Sequence, residues 1–212
     1  GHDGIAVNGT TGEAPTTKSS EKLEIIKVVK SVVGSKVQVL SGAGDNETSY
    51  TVEQAKRSQD AGADGILIVT PYYNKPPQAG IEAHFRAVAA ATDLPIMMYD
   101  IPGRTGVAIS YDTFHRAAKH PNIVAIKDAK GDLAQASRLM LETGLMYFSG
   151  DDSNVLPHLS IGATGLIGVT ANIAPHAYRA MVDATNKNDF HSALTVHNAL
   201  EPLQRAIMTH VP

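Results

Sequence analysis

Short apolar runs alternate along the chain with longer segments of helical period. The runs cover residues 5–8, 37–40, 65–70, 95–99, 123–127, 145–149 and 165–170. Between them lie stretches such as SSEKLEIIKVVKSVVG, TVEQAKRSQDAG and QAGIEAHFRAVAAAT. In the first of these, Leu23, Ile26, Val29, Val32 and Val33 recur at spacings suited to one buried helix face. Thr51 with Gln54 can form a capping box at the start of the second, and Gly62 fits the position beyond its end. Seven strand–helix units in succession predict an α/β fold with a parallel sheet covered by helices.

A spacing of about 28 residues per unit, with no G-x-G-x-x-G after the first run, favours a (β/α)8 TIM barrel over an open doubly wound sheet. Such a barrel has eight strands, and seven are visible. The chain enters its first strand within four residues of Gly1, so the expectation is a truncated barrel whose first strand and final C-terminal helices are missing. Residues 1–175 then hold barrel strands 2 to 8 with their helices. Residues 176–212 hold the last barrel helix and the start of a C-terminal helical extension.

Composition narrows the function classes. With 43% hydrophobic and 18% charged residues, the chain of 212 residues has an ordinary globular mixture. A net charge of -3 supports neither nucleic-acid binding nor a polybasic membrane patch. No run approaches the roughly 20 apolar residues that span a bilayer. There is no cysteine, which excludes disulfides, Cys-ligated zinc, iron–sulfur clusters and thiol nucleophiles and is compatible with a cytoplasmic location. No H-E-x-x-H or G-x-x-x-x-G-K-[ST] occurs, and the adjacent acids Asp151 and Asp152 suit a turn or helix cap better than a metal site. No metal or organic cofactor is implied.

Barrel enzymes carry their active sites at the strand C-termini. The polar strand ends, among them Thr10, Ser41, Tyr99, Asp100, Lys127, Asp128 and Ser149, are all expected to face that one rim, with Lys127 level with Tyr99 on the preceding strand. Burial in a confined, mostly apolar mouth lowers an amine's pKa and frees its neutral form to attack a ketone or aldehyde. A phenol and a hydroxyl beside it can move protons during imine formation. Backbone N–H groups of the Gly–Thr–Thr–Gly turn at residues 9–12 can hold a carboxylate.

The segments NGTTGE, VTPYYNKP, MMYDIPGRTG, IVAIKDAKGDL, FSGDD and GVTAN resemble, in order, the successive blocks of the 4-hydroxy-tetrahydrodipicolinate synthase family of pyruvate-dependent class I aldolases. The resemblance implies that Lys127 forms the Schiff base and that Tyr99 relays protons. It implies that Thr10 links Tyr99 to Tyr73, whose ring reaches the site of a neighbouring subunit. Thr11, Ile167 and Gly150 would hold or line the pyruvate, and Arg104 would hold the carboxylate of L-aspartate 4-semialdehyde. The implied assembly is a homotetramer built from dimers. Two other readings share parts of this pattern: cleavage of a 2-keto-3-deoxy sugar acid or of a sialic acid as in N-acetylneuraminate lyase, and non-catalytic sensing of a keto acid. Where lysine-inhibited relatives carry histidines and a glutamate, this chain has Ser19, Lys22 and Tyr50, which argues against feedback inhibition by lysine.

Overall fold

The structure, a computed structural model, describes residues 2–210. Its strands are β1 (Gly4–Val7), β2 (Gln38–Gly42), β3 (Gly65–Val69), β4 (Ile96–Asp100), β5 (Ile123–Asp128), β6 (Met146–Ser149) and β7 (Gly165–Leu166). All neighbouring pairs are parallel, and the order in the sheet is the order in the chain. The result is a curled partial barrel with edges at β1 and β7. Arg179, beyond β7, pairs with Asp3, just before β1, so the two edges are drawn towards each other.

Helices α1 (Ser19–Val33), α2 (Thr48–Asp60), α3 (Gln78–Ala89), α5 (Tyr111–Ala117) and α6 (Leu133–Thr143) connect successive strands, with a single turn, α4 (Pro102–Thr105), ahead of α5. Helices α7 (Val155–Ser160), α8 (Pro175–Asn186) and α9 (Phe190–His210) follow on the side of β7. The apolar positions divide as a period of two requires. Ile66, Ile68, Ile96, Met98 and Ile126 pack outwards in the main core, which includes Phe85 of α3, Phe114 of α5 and Leu139 of α6. Leu67, Met97, Tyr99 and Ala125 form a separate inner cluster, with Phe148 and Ile167 against it.

Several local expectations need correction. The capping residue of α2 is Glu47, whose carboxylate accepts from the Ser49 and Tyr50 N–H groups. Thr51 lies inside the helix, where its hydroxyl donates to the Glu47 carbonyl at 2.9 Å; a carboxylate one turn earlier does the capping. Gly62 does follow the helix end, at φ 95°. On α1, Ile26 is buried, but Val32 is 80% exposed because the apolar stripe is narrower than the list of valines suggests. The last strand stops at Leu166, and Thr170 begins a 3-10 turn instead of ending the strand.

Candidate active site

The position of Lys127 depends on an irregularity in the sheet. Ile96 pairs with Ile123, but Met97 pairs with Ala125, so Val124 is an extra residue on β5. Unbroken register from Ile96 would have set Lys127 opposite Asp100. The shift sets Lys127 opposite Tyr99 and Asp128 opposite Asp100. Bulges re-aim side chains in this way. Lys127 and Tyr99 therefore share the inner face.

Lys127 is 9% exposed, and its ammonium lies 4.2 Å from the centroid of the Tyr99 ring. Burial pulls its pKa from 10.5 to about 8, against the opposing charge of Asp152. At neutral pH roughly one such amine in ten is unprotonated, against roughly one in 3,000 for a free lysine. Gly150 lies against the lysine stem: a Cβ there would stand 2.9 Å from both Lys127 Cγ and Cε. Its N–H donates to the Asp128 carbonyl at 2.6 Å. Any side chain at 150 would displace the Lys127 stem.

Burial pushes the Tyr99 phenol up, opposed by a side-chain hydrogen bond with Thr10 and by the charge of Arg104. Thr10 starts a 3-10 turn (Thr10–Gly12) that leaves β1 through Asn8, at φ 56°. A cavity of about 240 Å³ is lined by Thr10, Tyr99 and Arg104 together with Asn8, Tyr72 and Lys22; Lys127 and Gly150 do not line it, and Tyr99 is the residue that touches both the cavity and the lysine. Arg104 sits on the α4 turn, whose Pro102 at the first position matches a helix start. The guanidinium is exposed and stands at the mouth.

Not every residue singled out in the sequence joins this cavity. Tyr73 is 88% exposed, has a φ of 73° and is not among the lining residues; Tyr72 lines the cavity instead and donates to Asp45 at 3.2 Å. Thr11 is exposed on the 3-10 turn and is not among the lining residues. Ile167 packs in the inner cluster with Tyr99 and donates its N–H to the Ser149 carbonyl at 2.8 Å.

The structure also adds residues that sequence reading placed elsewhere. Asp152 is buried; its carboxylate accepts from the Val169 N–H at 2.9 Å and the Thr170 hydroxyl at 2.7 Å. It ties β7 to the inner face and faces the charge of Lys127. Its neighbour Asp151 caps the following turn, and its charge helps to raise the Tyr99 phenol. Lys22 is buried in the cavity wall, where desolvation lowers its pKa against the opposing charge of Asp45. The expectation that every polar strand end faces one rim is wrong for four residues. Ser41 bonds Ser58 of α2, Asp100 accepts from the Ile109 N–H, Asp128 bonds Tyr147, and Ser149 bonds His158 of α7. Strand alternation turns them to the helix side.

With this geometry established, comparison with known proteins becomes informative. A family model described as the Dihydrodipicolinate synthetase family matches residues 1–212. The chain belongs to that family. It is 50% identical over 203 residues to the 4-hydroxy-tetrahydrodipicolinate synthase of Acidothermus cellulolyticus, covering 96% of this chain and 66% of that relative. The dihydrodipicolinate synthase of Aquifex aeolicus superposes with a TM-score of 0.97 at 37% identity, over 100% of this chain and 73% of the other. The chloride-inhibited dihydrodipicolinate synthase of Acinetobacter baumannii, solved with pyruvate, gives 0.95 at 40% identity, over 99% and 72%. The chain therefore spans about two thirds of the length of the dihydrodipicolinate synthetase family member that it matches at 50% identity. No group of three or more His, Cys, Asp or Glu residues suited to a metal ion occurs among the described residues. No helix among them is long and apolar enough to cross a membrane.

Proposed function

We propose that the protein condenses pyruvate with L-aspartate 4-semialdehyde to form 4-hydroxy-tetrahydrodipicolinate, a step towards diaminopimelate and lysine. The observation that carries this reading is the buried, partly neutral Lys127 held over the Tyr99 ring at the mouth of a barrel-like sheet. The seven strands are seven staves of an eight-stranded barrel. Lys127 attacks the pyruvate ketone, and Tyr99 with Thr10 passes the protons that release water as the imine forms. Loss of a methyl proton gives the enamine, whose carbon attacks the aldehyde. The amino group of the second substrate then displaces Lys127 as the ring closes.

Arg104 at the cavity mouth can grip the semialdehyde carboxylate with two parallel hydrogen bonds. In this reading Ile167 beside Tyr99 and Gly150 beside Lys127 flank the bound pyruvate, and the exposed turn that carries Thr11 would supply N–H groups to its carboxylate. The exposed ring of Tyr73 supports a role in a neighbouring subunit's site within a cytoplasmic homotetramer built from dimers. Borohydride reduction in the presence of pyruvate, followed by peptide mass mapping, tests the mechanism. The expected result is one pyruvyl adduct, on Lys127. An adduct on Lys130, or none, would overturn it. Turnover greatest on a 2-keto-3-deoxy sugar acid would leave the imine intact but reassign the substrate.

A further inference from the structure

Behind Lys127, on the helix side of the sheet, lies a buried polar cluster that the reaction does not touch. Asp128 follows the lysine directly and points the opposite way. One of its oxygens, Oδ1, accepts from the N–H groups of Lys130 at 2.6 Å and Gly131 at 2.9 Å. The other, Oδ2, accepts the hydroxyl of Tyr147, the residue two positions before Ser149 on β6. Both Asp128 and Tyr147 are almost fully buried.

His158 of α7 closes the cluster. The Ser149 hydroxyl donates its hydrogen to the Asp151 carbonyl at 2.8 Å, so its oxygen can only accept from His158 Nδ1, 3.0 Å away. The other ring nitrogen is Nε2. That nitrogen is buried without a hydrogen-bond partner and lies 3.9 Å from Asp128 Oδ2. Asp100, opposite Asp128 in the register, adds a second carboxyl whose Oδ2 is also unpartnered. Two of the six unpartnered buried side-chain atoms among the described residues thus belong to this one cluster. Unpaired buried polar atoms are costly, and an apolar filling of the same shape would be at least as stable. Packing alone does not account for them.

The backbone shows what the cluster holds. The Asp128 carbonyl takes the Gly150 N–H at 2.6 Å, and the Asp100 carbonyl takes the Ala129 N–H at 2.9 Å. Gly150 is the floor on which the Lys127 stem rests. The Asp128 side chain fixes the turn that follows, so the peptide carrying Lys127 is held from strand, turn and neighbouring strand together.

We infer that Asp128, braced by Tyr147, is a positioning residue for Lys127: it holds the end of β5 so that the amine stays in its dry seat over Tyr99. The inference rests on Lys127 being the imine-forming amine. Its test is the pH dependence of borohydride-trapped adduct formation with pyruvate, measured on the intact enzyme for wild type, Asp128→Asn and Tyr147→Phe. The groups that face Asp128 are Tyr147 of β6, His158 of α7 and Asp100 of β4, with the Lys130 N–H in the loop before α6, where the charge of Asp132 acts on Tyr147.

Asp128→Asn should trap at least ~10-fold more slowly, the loss of one charge-assisted hydrogen bond or more. Its midpoint should move upwards from near 8 as the amine becomes wetter, and the pyruvate KM should change less than kcat. Tyr147→Phe, which removes only a hydroxyl, should move the midpoint the same way by less; it keeps the test available if the asparagine variant does not fold. Asp128→Glu should recover part of the rate. An unchanged midpoint, whether or not the rate falls, would overturn the inference, and so would a downward shift, which marks lost charge and not lost position. An adduct that maps away from Lys127 in wild type would instead sink the mechanism on which it rests.

Discussion

Lys127 and Asp128 are adjacent in the chain and lie on opposite faces of the same strand. The inner residue is a base held beside a phenol and next to a cavity; the outer one is an acid that receives three hydrogen bonds in a closed cluster. Both are buried, and burial acts on both sides of the sheet. On the inner face it pulls the Lys127 amine down to about 8, and on the outer face it pushes the Asp100 carboxyl up to about 7, helped by the charge of Asp128. In each case the neutral form gains, as desolvation requires. What differs is access. In the proposed reaction the inner face meets the substrate, so a neutral amine there would act as the nucleophile, whereas a neutral acid on the outer face only spares the core a charge.

Substitutions on the two faces should therefore separate activity from pH-dependent stability. The largest effect is expected on the inner face. Tyr99→Phe keeps the ring under Lys127 and removes only the relay hydroxyl, so turnover should fall by the ~10²–10⁴-fold typical of a general acid–base group. Steady-state kinetics with thermal unfolding as a control checks this, and full activity would remove Tyr99 from the relay.

On the outer face the prediction concerns stability. An Asp100 side chain that ionises near 3.8 when unfolded and near 7 when folded binds more protons in the native state between those values. Stability must then fall as pH rises from about 4 to 7 and level off above. Asp100→Asn cannot ionise, so relative to wild type it should gain on the order of 3 kcal/mol between pH 4 and pH 8. Denaturant unfolding at the two pH values measures the difference, and an equal offset at both would show that Asp100 is not neutral in the fold.

The matching inner-face variant has the opposite pH signature. Lys127 binds fewer protons folded than unfolded between about 8 and 10.5, so wild-type stability rises through that window. Lys127→Met should be more stable at pH 7 by on the order of 2 kcal/mol, and the advantage should shrink above pH 8. A variant less stable than wild type at pH 7 would mean that the ammonium is better paired than its surroundings suggest.

The smallest effect belongs to the rim. Arg104 is exposed, so its loss should leave imine formation with pyruvate intact. Turnover efficiency with the semialdehyde should drop at least ~10-fold, since a charged hydrogen bond contributes more than ~1.4 kcal/mol. Unchanged kinetics with the semialdehyde would place the carboxylate elsewhere in the cavity.

The alternation of apolar runs and helical segments determined the class of fold, because a parallel sheet buried on both faces must be written as short continuous apolar strands. The local motifs likewise singled out Lys127, Tyr99, Thr10 and Arg104 as candidates, and the structure places Lys127 over Tyr99 and lines one cavity with the other three. The facing of the strand ends was not legible. Asp100, Asp128, Ser41 and Ser149 read as rim residues, yet a period of two sends them to the helices. The extra residue at Val124 decides that Lys127 meets Tyr99 and not Asp100, and no local pattern marks it, since a bulge is a property of two strands in register. Asp152 looked like a turn former because its partners, Val169 and Thr170, come from another strand–helix unit. Sequence alone determined which groups are available; the tertiary structure decided which face each occupies, because pairing register and burial arise only when distant strands come together.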